Sequence, residues 1–195
     1  MKSKLIMFIA LIGLAVMFSS FASVPQTKID AVTSAIDSVK SVGGDVFVPE
    51  VYKALTDSFA VVTTSVETEK AKWFPTYKKV NATLDVLAQA AVDALAKTEA
   101  RKAELKTEND ALVTEVKGLL ATNLELLKKA PKGKEGREAL EAIKGDLEVS
   151  TTSVAESETL IANGDILGAN NKLKAVKDRV DSIKTELETA IGKVK

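Results

Sequence analysis

Apolar residues return at spacings of three and four along most of the chain, and prolines divide the pattern. Ile29, Val32, Ile36 and Val39 form one stripe, and Val51, Leu55, Phe59, Val62 and Val66 form the next. A stripe at this period is the apolar face of an α-helix, because 3.6 residues make one turn. Pro25, Pro49, Pro75 and Pro131 fall between stripes, as expected for a residue tolerated in a first helical turn that breaks an interior. The spacing predicts a short first helix ended by Gly43-Gly44 and a second running from Pro49 to Trp73-Phe74-Pro75. The third, over about 76–129, has no proline and would be ~80 Å long if continuous. A fourth carries Leu140, Ile143, Leu147, Val154 and Ile161 and stops at Asn163-Gly164. Asp165 is a natural N-cap for a fifth, with Ile166, Ala169, Leu173, Val176, Val180, Ile183, Leu187, Ala190 and Val194 on one face.

The third helix has two apolar parts. Val80, Leu84, Leu87, Ala91 and Leu95 make the first, and Leu112, Val116, Leu119, Leu120, Leu124 and Leu127 the second. Between them TEARKAELKTENDA (98–111) contains only Leu105 and alanines as apolar residues, which predicts a solvated middle of alternating charge. The tetrapeptide TTSV occurs at 63–66 and again at 151–154, an offset of 88. Leu55 then aligns with Ile143 and Phe59 with Leu147; past the following turn, at 89, Tyr77 aligns with Ile166 and Leu84 with Leu173. Duplication of a hairpin would produce this match, and the helical period that any two amphipathic hairpins share would produce part of it. The expected fold is all-α: antiparallel helical hairpins or bundles in two similar units, 26–103 and 104–195, joined by the helix at about 76–129 in a spectrin-like layout.

The N-terminus changes the picture of location. Lys2 and Lys4 precede the apolar run LIMFIALIGLAVMF (5–18), and SSFAS follows. A basic start, an apolar core and a small-residue exit make residues 1–22 a secretory signal peptide, with cleavage after Ala22. Retention as an anchor is the alternative, although a span needs about 20 apolar residues. There is no Cys at the exit for lipid attachment. The chain is expected to be exported, periplasmic or secreted.

Composition then narrows the chemistry. The sequence has no His and no Cys, and its Met residues, Met1, Met7 and Met17, all lie in the leader. That removes imidazole- and thiolate-based catalysis and zinc ligation, and disulfides with them. Beyond Ala22, 25 basic residues face 27 acidic ones, so no global field draws nucleic acid. The pairs Glu156/Glu158 and Asp85/Asp93 lack the i, i+4 spacing that would place both on one helical face. No enzyme site, cofactor or metal is expected.

Ala130-Pro131, Gly164-Asp165, Ala169 and Leu173 together resemble a bacterial envelope family of unknown function made of small helical domains with Ala-Pro and Gly-Asp turns. In the first unit Val48-Pro49 and Phe74-Pro75 stand at the corresponding places. Similar proteins are often lipoproteins or fused to peptidoglycan-binding domains, features this chain lacks. The resemblance implies an envelope location and helical hairpins, and carries over no catalytic residue.

Two surface candidates follow. Phe47, Tyr52, Phe59, Trp73, Phe74 and Tyr77 are the only aromatics beyond Ala22; they suit either a lipid or glycan platform or core packing and turn plugs. Lys128, Lys129, Lys132, Lys134 and Arg137 crowd the next-to-last turn and suit either phosphate contact or a solvated loop. The candidate binding surface is therefore Tyr52, Trp73, Phe74, Tyr77, Lys129, Lys132, Lys134 and Arg137. The expected function is a non-enzymatic envelope scaffold or interaction protein acting through helix faces, by a protein partner or self-association; the alternative is a periplasmic lipid or glycan binder using the aromatics at 47–77. Intact-mass analysis of the exported protein should give a chain beginning at Ser23; a full-length chain in the membrane fraction would instead mean a retained anchor.

Overall fold

A computed structural model describes residues 23–131 and 136–192. The leader and Val194 lie outside them. The fold is all-α: among the described residues there are helices α1 (Gln26–Ser41), α2 (Gly44–Phe47), α3 (Pro49–Lys70), α4 (Lys78–Lys129), α5 (Gly136–Ala162) and α6 (Ile166–Gly192), and no strand. Pro49 opens α3 in its first turn, where its missing N–H costs nothing. The single turn α2 lies where only a connection was expected. Gly44 permits it: a Cβ there would sit 2.3 Å from Val39 Cγ1 and 2.8 Å from its carbonyl.

The end of α5 shows how sequence sets a turn. Gly164 has φ +85, a left-handed conformation that L side chains rarely adopt. The Asp165 N–H donates to the Leu160 carbonyl at 2.9 Å and the Gly164 N–H to that of Ile161 at 3.1 Å, the paired bonds of a Schellman ending. Asp165 then caps α6, its Oδ1 accepting the Gly168 N–H at 2.9 Å.

The chain divides into two compact units, ending and beginning at Arg101 and Lys102. In the first, α1, α3 and the early part of α4 bury Val32, Val39, Leu55, Val62, Val66, Val80, Leu84 and Ala91. In the second, the late part of α4 with α5 and α6 buries Val116, Leu120, Ile143, Leu147, Val154, Val180 and Leu187. Each fully buried Leu or Val contributes about 1.5–3 kcal/mol relative to exposure. Partners between α4 and α6 ascend together, Glu108 with Lys174, Glu115 with Lys177 and Asn123 with Val180, so these helices run parallel. Glu156 with Lys172 and Asp146 with Arg179 descend against each other, so α5 is antiparallel to α6.

Burial also repeats along the chain. Buried Leu55, Val62 and Val66 match buried Ile143, Ser150 and Val154 at the offset of 88, and Tyr77, Val80, Leu84, Leu87, Ala91 and Ala94 match Ile166, Ala169, Leu173, Val176, Val180 and Ile183 at 89.

Three expectations are corrected. The middle of α4 is not wholly solvated: Thr98, Leu105 and Asn109 are buried, continuing the stripe with polar members. Leu124 is 46% exposed, and its neighbour Asn123 takes the core position, because 116, 120 and 123 keep the helical register. Of the helix faces expected to serve in interaction, the regular stripe of α6 is not free, because it is buried within its own unit from Ile166 to Leu187.

Each polar core position makes at least one hydrogen bond. Asn109 Nδ2 donates to the Ile166 carbonyl and its Oδ1 accepts from Asn170 Nδ2, both at 2.9 Å. Asn123 Nδ2 donates to the Val180 carbonyl at 2.7 Å, and Ser150 and Ser157 donate to carbonyls one turn back in α5. Replacing Asn109 with Leu strands the Asn170 side-chain amide and removes the side-chain bond to the Ile166 carbonyl. Urea denaturation should show a loss of about 1–3 kcal/mol; a neutral effect would mean that neither bond matters to stability.

Candidate functional site

The aromatics do not form one surface. Tyr77 is 4% exposed and belongs to the first core, and Tyr52 and Phe59 pack partly buried against it. Trp73 and Phe74 are different: they are 89% and 83% exposed. The expected turn plug at Trp73-Phe74 is thus corrected, since neither ring closes onto the core. A six-membered platform at 47–77 is corrected as well. Phe59 and Tyr77 fall on helical stripe positions and are drawn inward; Trp73 and Phe74 occupy the turn between helices, beyond the reach of either stripe.

The turn at 71–77 is held by one carboxylate. Glu69, in the last turn of α3, accepts Lys72 Nζ at 2.6 Å through Oε1 and the Thr76 N–H at 3.1 Å through Oε2. The Lys72 ammonium, then the Thr76 amide, hold the Glu69 carboxyl below its usual range, with Lys79 adding a smaller effect. The backbone tightens the same turn, with the Ala71 N–H on the Glu67 carbonyl at 3.2 Å and the Lys72 N–H on that of Glu69 at 3.1 Å. Beside it lies a groove of about 470 Å³, lined by Val62, Glu69, Lys72, Thr76, Lys79 and Val80 among others. Glu69, Lys72 and Lys79 were not singled out from sequence. The available signal was the run 70–84, which has Lys70, Lys72, Lys78 and Lys79 and no acid.

At the other predicted surface, Lys129 and Arg137 are exposed, and Lys132 and Lys134 lie outside the described residues. Lys128 pairs with Glu125 at 2.6 Å and keeps that carboxyl below its usual range. A shallower groove of about 390 Å³ is lined by Leu127, Lys128, Arg137, Leu140, Glu141 and Lys144. It brings Arg137 near other cations, but Lys129 does not line it.

The carboxylate pairs considered from sequence are spoken for separately. Asp85 binds Lys28 and Asp93 accepts from Gln89, while Glu156 and Glu158 bind Lys172 and Lys117. Among the described residues no group of three acidic side chains is placed to hold a metal ion, and no helix is long and apolar enough to cross a membrane.

The Glu69 brace has a pH signature. A carboxyl whose folded value is lowered adds stability that is present above its unfolded value near 4.5 and is lost as pH falls through the lower folded value. The stability difference between the wild type and Glu69→Gln should therefore shrink on acidification below that point. A difference that stays constant in urea titrations down to strong acid would show that the brace does not depend on the charge.

Neither protein-family models, curated proteins nor solved structures give a match to this chain.

Proposed function

We propose that the chain is an exported, non-enzymatic helical scaffold or interaction protein of the bacterial cell envelope. The observation that carries this reading is α4, which lends its apolar face to the cores of two separate units without a break. Two compact units, each with its own core, give an interaction protein two separate sets of helix faces to present. The leader-like N-terminus and the Ala-Pro and Gly-Asp turns support the envelope setting.

Docking would use faces other than the α6 stripe, whose apolar residues are consumed within the second unit. Val61 and Val86 are 67% and 66% exposed and Val149 is 51% exposed, which makes them suitable reporter positions on α3, α4 and α5. A photo-crosslinking residue at each, in intact cells, should capture a discrete protein adduct outside the cytoplasm from at least one position, a second copy of the chain included. Retention of the chain in the cytoplasm, or no adduct from any of the three in a folded protein, would overturn the proposal. A single lipid or glycan site built from all the aromatics at 47–77 has no support in the geometry, because those rings point to different environments.

A further inference from the structure

Trp73 and Phe74 are the most exposed large apolar side chains among the described residues; the next, Val61 and Val86, lie near 67% and 66% and stand singly on helix surfaces. Isolated surface valines are ordinary. Two adjacent aromatic rings at the crest of a turn are not, because their exposure costs free energy that burial in α3 or α4 would recover.

The turn that presents them is fixed. Glu69 bonds both Lys72 and the Thr76 amide, and Tyr77, three residues beyond Phe74, is anchored in the core at 4% exposure. The rings therefore stand out from a braced backbone, which lowers the ordering cost of engaging a partner.

Charge indicates the partner. From 70 to 84 the chain has four lysines and no acid. Glu67 balances Lys70 and Glu69 balances Lys72. Lys78 and Lys79, both exposed at the start of α4, leave net positive charge beside the rings.

We propose that the 71–79 turn docks peripherally on an anionic lipid bilayer, with Trp73 and Phe74 in the interfacial layer and Lys78 and Lys79 against headgroup phosphates. Aromatic rings favour the bilayer interface, where an apolar body meets a polar edge. Lysines near an anionic leaflet add attraction that decays within a Debye length. Two exposed rings need no complementary pocket in a soft surface, whereas a protein partner would have to supply one. Weak, reversible attachment is expected from so small a contact. The inference goes beyond the scaffold reading and does not depend on it, since its test uses lipid alone.

Trp73 is the sole tryptophan of the chain, so its fluorescence reports on the tip directly. The chain beginning at Ser23 would be mixed with vesicles of phosphatidylcholine containing phosphatidylglycerol, and with phosphatidylcholine alone. The expected result is sedimentation with the anionic vesicles, a blue shift of Trp73 emission, quenching by brominated lipid, and reversal by salt. Phe74→Ser should weaken binding by about tenfold or more, and Lys78→Gln with Lys79→Gln should remove the preference for anionic lipid. Both variants should retain the wild-type melting temperature, because all three side chains are exposed. Emission that is unchanged on exposure to anionic vesicles would overturn the proposal. A blue shift that grows with protein concentration in the absence of lipid would also overturn it, by assigning the tip to a second copy of the chain.

Discussion

The apolar face of α4 is shared by both cores, supplying Val80, Leu84, Leu87, Ala91 and Leu95 to one and Val116 and Leu120 to the other. The rest of the fold depends on its being covered. With no cysteine in the sequence there is no covalent closure, and helical stability in a folded protein comes mostly from packing of the apolar face rather than from propensity. Each unit must therefore supply its own helices over that face, α1 and α3 for the early part, α5 and α6 for the late part. Surface ion pairs such as Lys117 with Glu158 and Arg179 with Asp146 join the same helices, but exposed pairs are worth only about 0–1 kcal/mol. They refine the alignment and do not create it.

What sets the alignment is the polar minority of the core. Asn109, Asn123 and Asn170 are almost fully buried, and each amide reaches a specific acceptor on a neighbouring helix. Sliding α4 by one turn against α6 would leave leucines and valines able to repack, whereas the asparagines would lose partners in a low-dielectric interior. A single polar core position can fix register at some cost in stability. The cost is visible at Asn123, whose Oδ1 is buried without a hydrogen-bond partner. Ser150 and Ser157 solve the problem differently, returning their hydroxyl protons to their own helix and allowing close approach through small size.

Much of the helical fold could be read from the sequence because period and punctuation agree. Prolines, the Asn163-Gly164 stop and the Asp165 cap mark the same boundaries as the apolar spacing, and stripes such as Ile143, Leu147 and Val154 are buried as the spacing implies. Asn123, Asn109 and Thr98 could not be read, because a rule that seeks apolar residues assigns them to the surface, and Leu124 was placed inside for the same reason. The candidate site was only partly legible. Six aromatics close in sequence suggested one patch, but helical geometry sends Tyr77 inward and leaves Trp73 and Phe74 outside. Proximity along the chain carries no information about direction; the position of each ring relative to the stripe does.

That distinction explains why the turn differs from other exposed apolar positions. A valine on a helix surface is held there by the helix and has no freedom to move inward. Residues 71–77 lie between helices, where the backbone could in principle fold the rings over the open ends of α3 and α4. Glu69 opposes this by tying Lys72 and Thr76 together across the turn, and buried Tyr77 secures the far side. The exposed pair is thus the outcome of specific contacts on either side of it, and the same contacts that hold the rings out of the core bring them next to Lys78 and Lys79.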